Sequence, residues 1–110
     1  MAGKFELKKS GEQFYFNLKA SNGKVILTSE RYTEKRGAQK GIESVRKNAT
    51  DDARYERKQN TGGQPYFVLK ASNGEIIGRS ETYSSSTGVT RGIASVKKTA
   101  PEAALVDLTA

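Results

Sequence analysis

This 110-residue sequence predicts an α+β fold: two tandem βββα(β) repeats with pseudo-twofold symmetry, forming one antiparallel sheet with two helices packed on one face. Three observations predict it. First, Phe16-Asn17-Leu18-Lys19-Ala20-Ser21-Asn22-Gly23 returns 51 residues later as Phe67-Val68-Leu69-Lys70-Ala71-Ser72-Asn73-Gly74, and the match continues without a gap to Ala49 and Ala100. A period near 50 is the mark of one supersecondary unit built twice. Second, each copy begins with short segments that alternate apolar and polar residues, the pattern of half-buried strands. Third, each copy ends on an apolar stripe with helical spacing.

Taken in order, Phe5-Glu6-Leu7-Lys8 alternates as a first strand, and Ser10-Gly11-Glu12 is a turn. In the next strand, Phe14, Phe16, Leu18 and Ala20 share one face, with Tyr15, Asn17 and Lys19 on the other. Asn22-Gly23 predicts a type I′ hairpin, since both residues tolerate a positive φ. Lys24-Val25-Ile26-Leu27-Thr28-Ser29 is the returning strand, rich in branched residues. Ala38, Gly41, Ile42 and Val45 then form the stripe of an amphipathic helix, with Thr33 as its N-cap and Tyr32 as a hydrophobic staple. The second copy places Val89, Gly92, Ile93 and Val96 on the same stripe, capped from the run Ser84-Ser85-Ser86-Thr87. A glycine inside a helix costs about 1 kcal/mol against alanine, so its recurrence at Gly41 and Gly92 points to close packing of the helix backbone.

Thr50-Asp51-Asp52-Ala53 is a short connection into Tyr55-Glu56-Arg57-Lys58, the opening strand of the second copy. The second copy has one extra residue in its first loop, Asn60-Thr61-Gly62-Gly63. After Pro101, Leu105-Val106-Asp107-Leu108 predicts a final short strand. Neither 50-residue half would bury a sufficient core alone, so the halves are expected to share one. The chain therefore reads as a single domain over 1–110: repeat one at 3–50, repeat two at 53–100, and a C-terminal strand or tail at 101–110. Because a tandem repeat mimics a dimer, a monomer is expected.

The twin Leu-Lys-Ala-Ser-Asn-Gly hairpins, the segments Ser29-Glu30-Arg31-Tyr32 and Ser80-Glu81-Thr82-Tyr83, and the Gly-Ile-x-Ser-Val helices give the chain a resemblance to a known family. It resembles the YegP-like family of small bacterial tandem-repeat proteins of unknown function, over residues 3 to about 100. The resemblance implies a duplicated β3-α-β unit in one antiparallel sheet, with the strands after the helices exchanged between halves. Single-repeat members would make the same assembly as dimers. The family supplies a fold and no reaction, so it carries over no functional residue.

Composition narrows the function classes. The absence of cysteine excludes disulfides, thiol nucleophiles and cysteine metal sites, and the absence of histidine removes the commonest general base. No phosphate-cradling glycine loop is present; Thr61-Gly62-Gly63 lacks the lysine and the helix that such a loop needs. Glu30 and Glu81 recur in both copies, and the ordinary expectation is that each accepts hydrogen bonds near its helix N-terminus. No catalytic residue, metal or cofactor is therefore expected, and the chain is not expected to be an enzyme. No stretch approaches the roughly 20 apolar residues of a membrane span. A cytoplasmic protein without membrane association is expected.

The formal charge of +7 favours anionic partners. If the helices cover one face of the sheet, the other carries Tyr15 and Lys19 from the first copy and Tyr66 and Lys70 from the second. Tyrosine stacks on bases and lysine contacts phosphates, the combination used by sheets that bind single strands. The ordinary alternative is a solvated strand face. A second basic set lies on the helices, where Lys40/Arg91, Arg46/Lys97 and Lys47/Lys98 are positive in both copies. It is either an anion-binding ridge or a solubilising exterior whose charges suit the helix C-terminus. The expected function is a non-enzymatic binding module for a polyanion, RNA or DNA. The alternative is a protein-interaction or stress-accessory module, with a partner at a sheet edge and a charge that serves solubility.

Overall fold

A computed structural model describes residues 3–109. The first repeat gives β1 (Lys4–Ser10), β2 (Gln13–Lys19), β3 (Val25–Thr28) and α1 (Lys35–Asn48). The second gives β4 (Tyr55–Gln59), β5 (Pro65–Lys70), β6 (Ile76–Arg79) and α2 (Ser86–Thr99), followed by β7 (Ala104–Asp107). Single 3₁₀ turns at Asp52–Arg54 and Ala100–Glu102 lead into β4 and β7. All seven strands form one sheet in the order β4-β5-β6-β3-β2-β1-β7, so a pseudo-twofold passes between β3 and β6. The halves do share a core. Phe5, Leu7, Phe16, Leu18 and Leu27 join Phe67, Leu69 and Ile77 beneath Ala38, Ile42, Val45, Val89 and Val96 of the two helices.

The sheet is mixed, which corrects the expectation of an all-antiparallel one. Every neighbouring pair is antiparallel except β1 and β7, which run parallel. The strand after each helix does cross to the other half: β4 follows α1 and pairs with β5, while β7 follows α2 and reaches the β1 side. Symmetry would seat β7 against β2, as β4 sits against β5. That slot is already taken by β1, so β7 adds one strand further out. Both β1 and a symmetry-placed β7 run antiparallel to β2, and so they run parallel to each other.

Local structure departs from expectation at two turns. Asn22-Gly23 and Asn73-Gly74 do close hairpins, but only the glycines have positive φ, +86° and +89°. Gly23 N–H donates to Ala20 O, and Asn22 Oδ1 accepts from Lys24 N–H rather than its backbone turning left-handed. The turn is thus an ordinary one ending on a left-handed glycine, and β2 and β5 each shift register beside it. At α1 the N-cap is Glu34, not Thr33, and its side chain makes no capping bond. Tyr32 explains the delay, because its backbone is bridged to Phe14 by two hydrogen bonds of 2.7 Å. α2 is capped as expected: Ser85 accepts from Gly88 N–H.

The repeated Ser-Glu-x-Tyr segment is a wedge between sheet and helix. Ser29 Oγ accepts from Phe16 N–H and donates to Glu30 O; Ser80 does the same between Phe67 and Glu81. Tyr32 then stacks on Phe16, and Tyr83 on Phe67, each pair with ring centroids 6.4 Å apart. The helix glycines make room for these rings. A Cβ at Gly41 would lie 2.5 Å from the Tyr32 hydroxyl, and one at Gly92 would clash with Tyr83. The close approach expected of both glycines is therefore to tyrosine as well as to the sheet.

Candidate nucleic-acid interface

Strand alternation sends most apolar residues of each strand to the helices and the intervening residues, Val68 and Val106 among them, to the open face. One row crosses the whole sheet there by register: Val106, Glu6, Asn17, Thr28, Arg79, Val68 and Glu56. Asn17 Nδ2 donates to Thr28 Oγ1 at 2.9 Å, which ties β2 to β3. Tyr15 and Lys19 flank Asn17 on β2, and Tyr66 and Lys70 flank Val68 on β5.

Two carboxylates organise the lysines. Glu6 draws Lys19 at 3.0 Å and Lys4 and Lys8 at 3.5 Å, while Glu56 draws Lys70 at 2.5 Å and Lys58 at 3.6 Å. Five lysines thus surround two acids, which leaves a positive excess. The hydrogen bond from Lys19 is the main cause that holds the Glu6 carboxyl below its ordinary range, against the opposing effect of burial. Lys70 does the same for Glu56. Both acids stay ionised at neutral pH and pin their lysines to the face.

Each tyrosine carries an arginine. The Arg31 guanidinium lies 4.8 Å from the Tyr15 ring centroid, and that of Arg79 lies 5.7 Å from Tyr66. Shallow hollows lie alongside, one lined by Thr28, Glu30, Arg31 and Arg79, the other by Asn60, Tyr66, Arg79 and Thr82. Neither arginine recurs in the other copy, so the repeat does not mark them. Arg31 is matched by Thr82 and Arg79 by Thr28. The signal was the pairing of a positive residue at or just after the third strand of each half with the tyrosine of that half.

The helix set divides. Lys40, Arg91, Lys47 and Lys98 are exposed on the side away from the tyrosines. Arg46 and Lys97 are partly exposed and engaged with neighbouring segments. Arg46 donates to Ala103 O at 2.7 Å and to Glu43, and lies over Phe5; Lys97 binds Asp52 at 2.5 Å. Each clamps the chain that enters an outer strand. The ten sequence-selected residues therefore do not converge: four lie on the open face, four on the helix exteriors and two in the clamps. Glu30 and Glu81 are exposed, and among the described residues neither carboxylate takes part in a side-chain hydrogen bond. They raise the pKa of Tyr32 and Tyr83, behind the larger effect of burial. Among the described residues no group of three or more acidic side chains is placed to hold a metal ion, and no helix is long and apolar enough to cross a membrane.

Fold and surface together define a class: a duplicated α+β sheet protein with helices on one face and a basic, tyrosine-bearing open face. A family profile described as "Domain of unknown function (DUF1508)" matches twice, at residues 10–56 and 60–107. The chain belongs to that family, in which the curated relatives are named UPF0339 proteins. The UPF0339 protein of Bordetella pertussis is 57% identical over 109 residues, covering 99% of this chain and 98% of the relative. The UPF0339 protein YegP of Yersinia pestis is 51% identical over 108 residues, covering 97% and 96%. The solution NMR structure of YegP from Escherichia coli, a protein of unknown function, matches with a TM-score of 0.93 at 51% identity, covering 99% of this chain and 95% of that one. The family expected from the hairpin and helix motifs is thus the one found, and its function is not known.

Proposed function

We propose that this protein is a non-enzymatic module that binds single-stranded RNA or DNA across the open face of its sheet. The observation that carries the reading is the doubled tyrosine–arginine pair, Tyr15–Arg31 and Tyr66–Arg79, set within an excess of lysine. Unpaired bases stack on the tyrosine and guanidinium planes, and Lys19, Lys70, Lys8 and Lys58 meet the phosphates. A duplex hides its base faces and gains only the charge. Both halves of the surface lie on one polypeptide, so a single copy suffices.

Anisotropy titrations with labelled single-stranded RNA and DNA test this at several salt concentrations. Binding is expected at low salt, weakening with a log–log slope of about −0.7 per phosphate contacted. Replacing both tyrosines, Tyr15→Ala and Tyr66→Ala, is expected to weaken it by at least tenfold, since each stacked base contributes about 1–3 kcal/mol. Flat anisotropy at low salt overturns the reading. Unchanged affinity in the double variant overturns the role of stacking.

A further inference from the structure

The two ends of the sheet are built from equivalent strands and finished differently. β1 pairs with β2 through Phe5↔Leu18 and Leu7↔Phe16, and β4 pairs with β5 in the same register through Tyr55↔Leu69 and Arg57↔Phe67. β7 covers the outer side of β1, where Leu108 N–H donates to Leu7 O at 2.8 Å. Among the described residues no strand covers β4. In its place lies a groove of about 610 Å³ between β4 and α2, lined by Asp52, Tyr55, Glu56, Arg57, Ile93 and Lys97, its two acids already paired with Lys97 and Lys70. The apolar residues show what the missing strand leaves open. Phe5, Leu7 and Ile42 are buried, whereas their counterparts Tyr55 and Ile93 are half-buried and Arg57 is exposed.

We propose that the β4 edge is a docking site for an extended acidic–apolar peptide segment of another protein, which adds as a parallel strand in the manner of β7. The charges set the chemistry of the occupant. In β7, Leu105 registers with Phe5 and Asp107 with Leu7, and Asp107 binds Lys35 at the start of α1 at 2.6 Å. At the second edge, the Leu7 position is Arg57 and the Lys35 position is Ser86. Among the described residues Arg57 is held only by neutral acceptors, Ser86 O and Thr90 Oγ1. A second hollow, which shares Arg57 with the groove, is lined by Arg57, Lys58, Gln59, Pro65, Ser86 and Val89, with no acid among them. A docked segment therefore places an apolar residue against Tyr55 and Ile93, and a carboxylate two positions later against Arg57. Main-chain bonds along an edge strand give such a complex its affinity, and alternate side chains give it specificity. The β7 of a second copy is a poorer occupant, because it already covers Phe5 and Leu7 of its own chain.

The test uses a blocked synthetic peptide with the sequence of residues 103–109, titrated into isotope-labelled full-length protein and followed by amide NMR shifts. Saturable shifts are expected at Tyr55–Gln59 and along α2 from Thr90 to Lys97, with β1 unmoved. A peptide carrying lysine in place of its aspartate is expected to bind at least fivefold more weakly. An Arg57→Glu variant, altered only at an exposed side chain, is expected to reverse that preference. Three results overturn the proposal: no saturable shift up to the peptide's solubility limit, shifts centred on β1 through displacement of β7, or equal binding of the two peptides by both proteins.

Discussion

The two repeats fold to the same register and wedge, yet one half ends in a covered edge and the other in a bare one. At the first edge an apolar row, Phe5 and Leu7, lies under α1 beside β7; at the second, Tyr55 and Arg57 occupy the same positions with no strand beyond them among the described residues. Seven strands cannot obey a twofold, so one edge of this sheet has to differ. The sequence has followed the difference: a leucine where the edge is covered, an arginine where it is open. Edge strands are commonly guarded by charge against unwanted pairing, and Arg57 serves that purpose while selecting what can pair.

The largest way to break the comparison is to shorten the two equivalent residues. Leu7→Ala removes a fully buried side chain and is expected to cost about 2–5 kcal/mol of unfolding free energy. Arg57→Ala, at an exposed site, is expected to change stability by about 0.5 kcal/mol or less. Denaturant melts of the two variants decide it; similar losses would mean that the edges are not energetically distinct.

The inner parts of the halves should instead respond alike. Gly41→Ala and Gly92→Ala each drive a methyl into the tyrosine wedge and toward Phe16 or Phe67. Overpacking of this kind costs about 1–3 kcal/mol, partly offset by the helix propensity of alanine. Losses within about 1 kcal/mol of each other in thermal melts would confirm a common seat. A large difference would show that β7 stiffens the first half more deeply than its edge contacts require.

The same division explains what the sequence made legible. Period-2 and period-3.6 patterns report which side of an element is buried, and they located Phe16, Leu18, Ile42 and Val96 correctly. They do not report which strand takes which slot, so the parallel β1/β7 pair was invisible until β1 was seen to fill the place beside β2. Nor do they report where a long side chain goes. Arg46 and Lys97 looked like free charges on a helix, yet each reaches sideways to the chain entering an outer strand. Ile93 reads as core on its stripe and is only half-buried, because among the described residues no strand covers it in its half. On the open face the repeat marks the tyrosines and lysines but not Arg31 and Arg79, which break it.

The smallest expected contrast lies in the two lysine-ringed carboxylates. Glu6 is buried and draws three lysines; Glu56 is half-buried and draws two. Both have folded-state pKa values below the ordinary 4.5, because the ion pairs favour the charged form. A depressed carboxylate stabilises the fold fully above its unfolded pKa, and that contribution disappears as pH falls through the lower folded value. Stability should therefore decline once pH drops below about 4.5. Glu6→Gln is expected to lower stability at pH 7, to leave it nearly unchanged well below the folded pKa, and so to flatten the acid limb. Glu56→Gln should flatten it less, since solvent screens a half-buried pair more strongly than a buried one. Acid titrations of stability for the two variants rank them directly. Equal flattening would place the two carboxylates in equivalent surroundings, and the difference between the halves would then stop at the outermost strand.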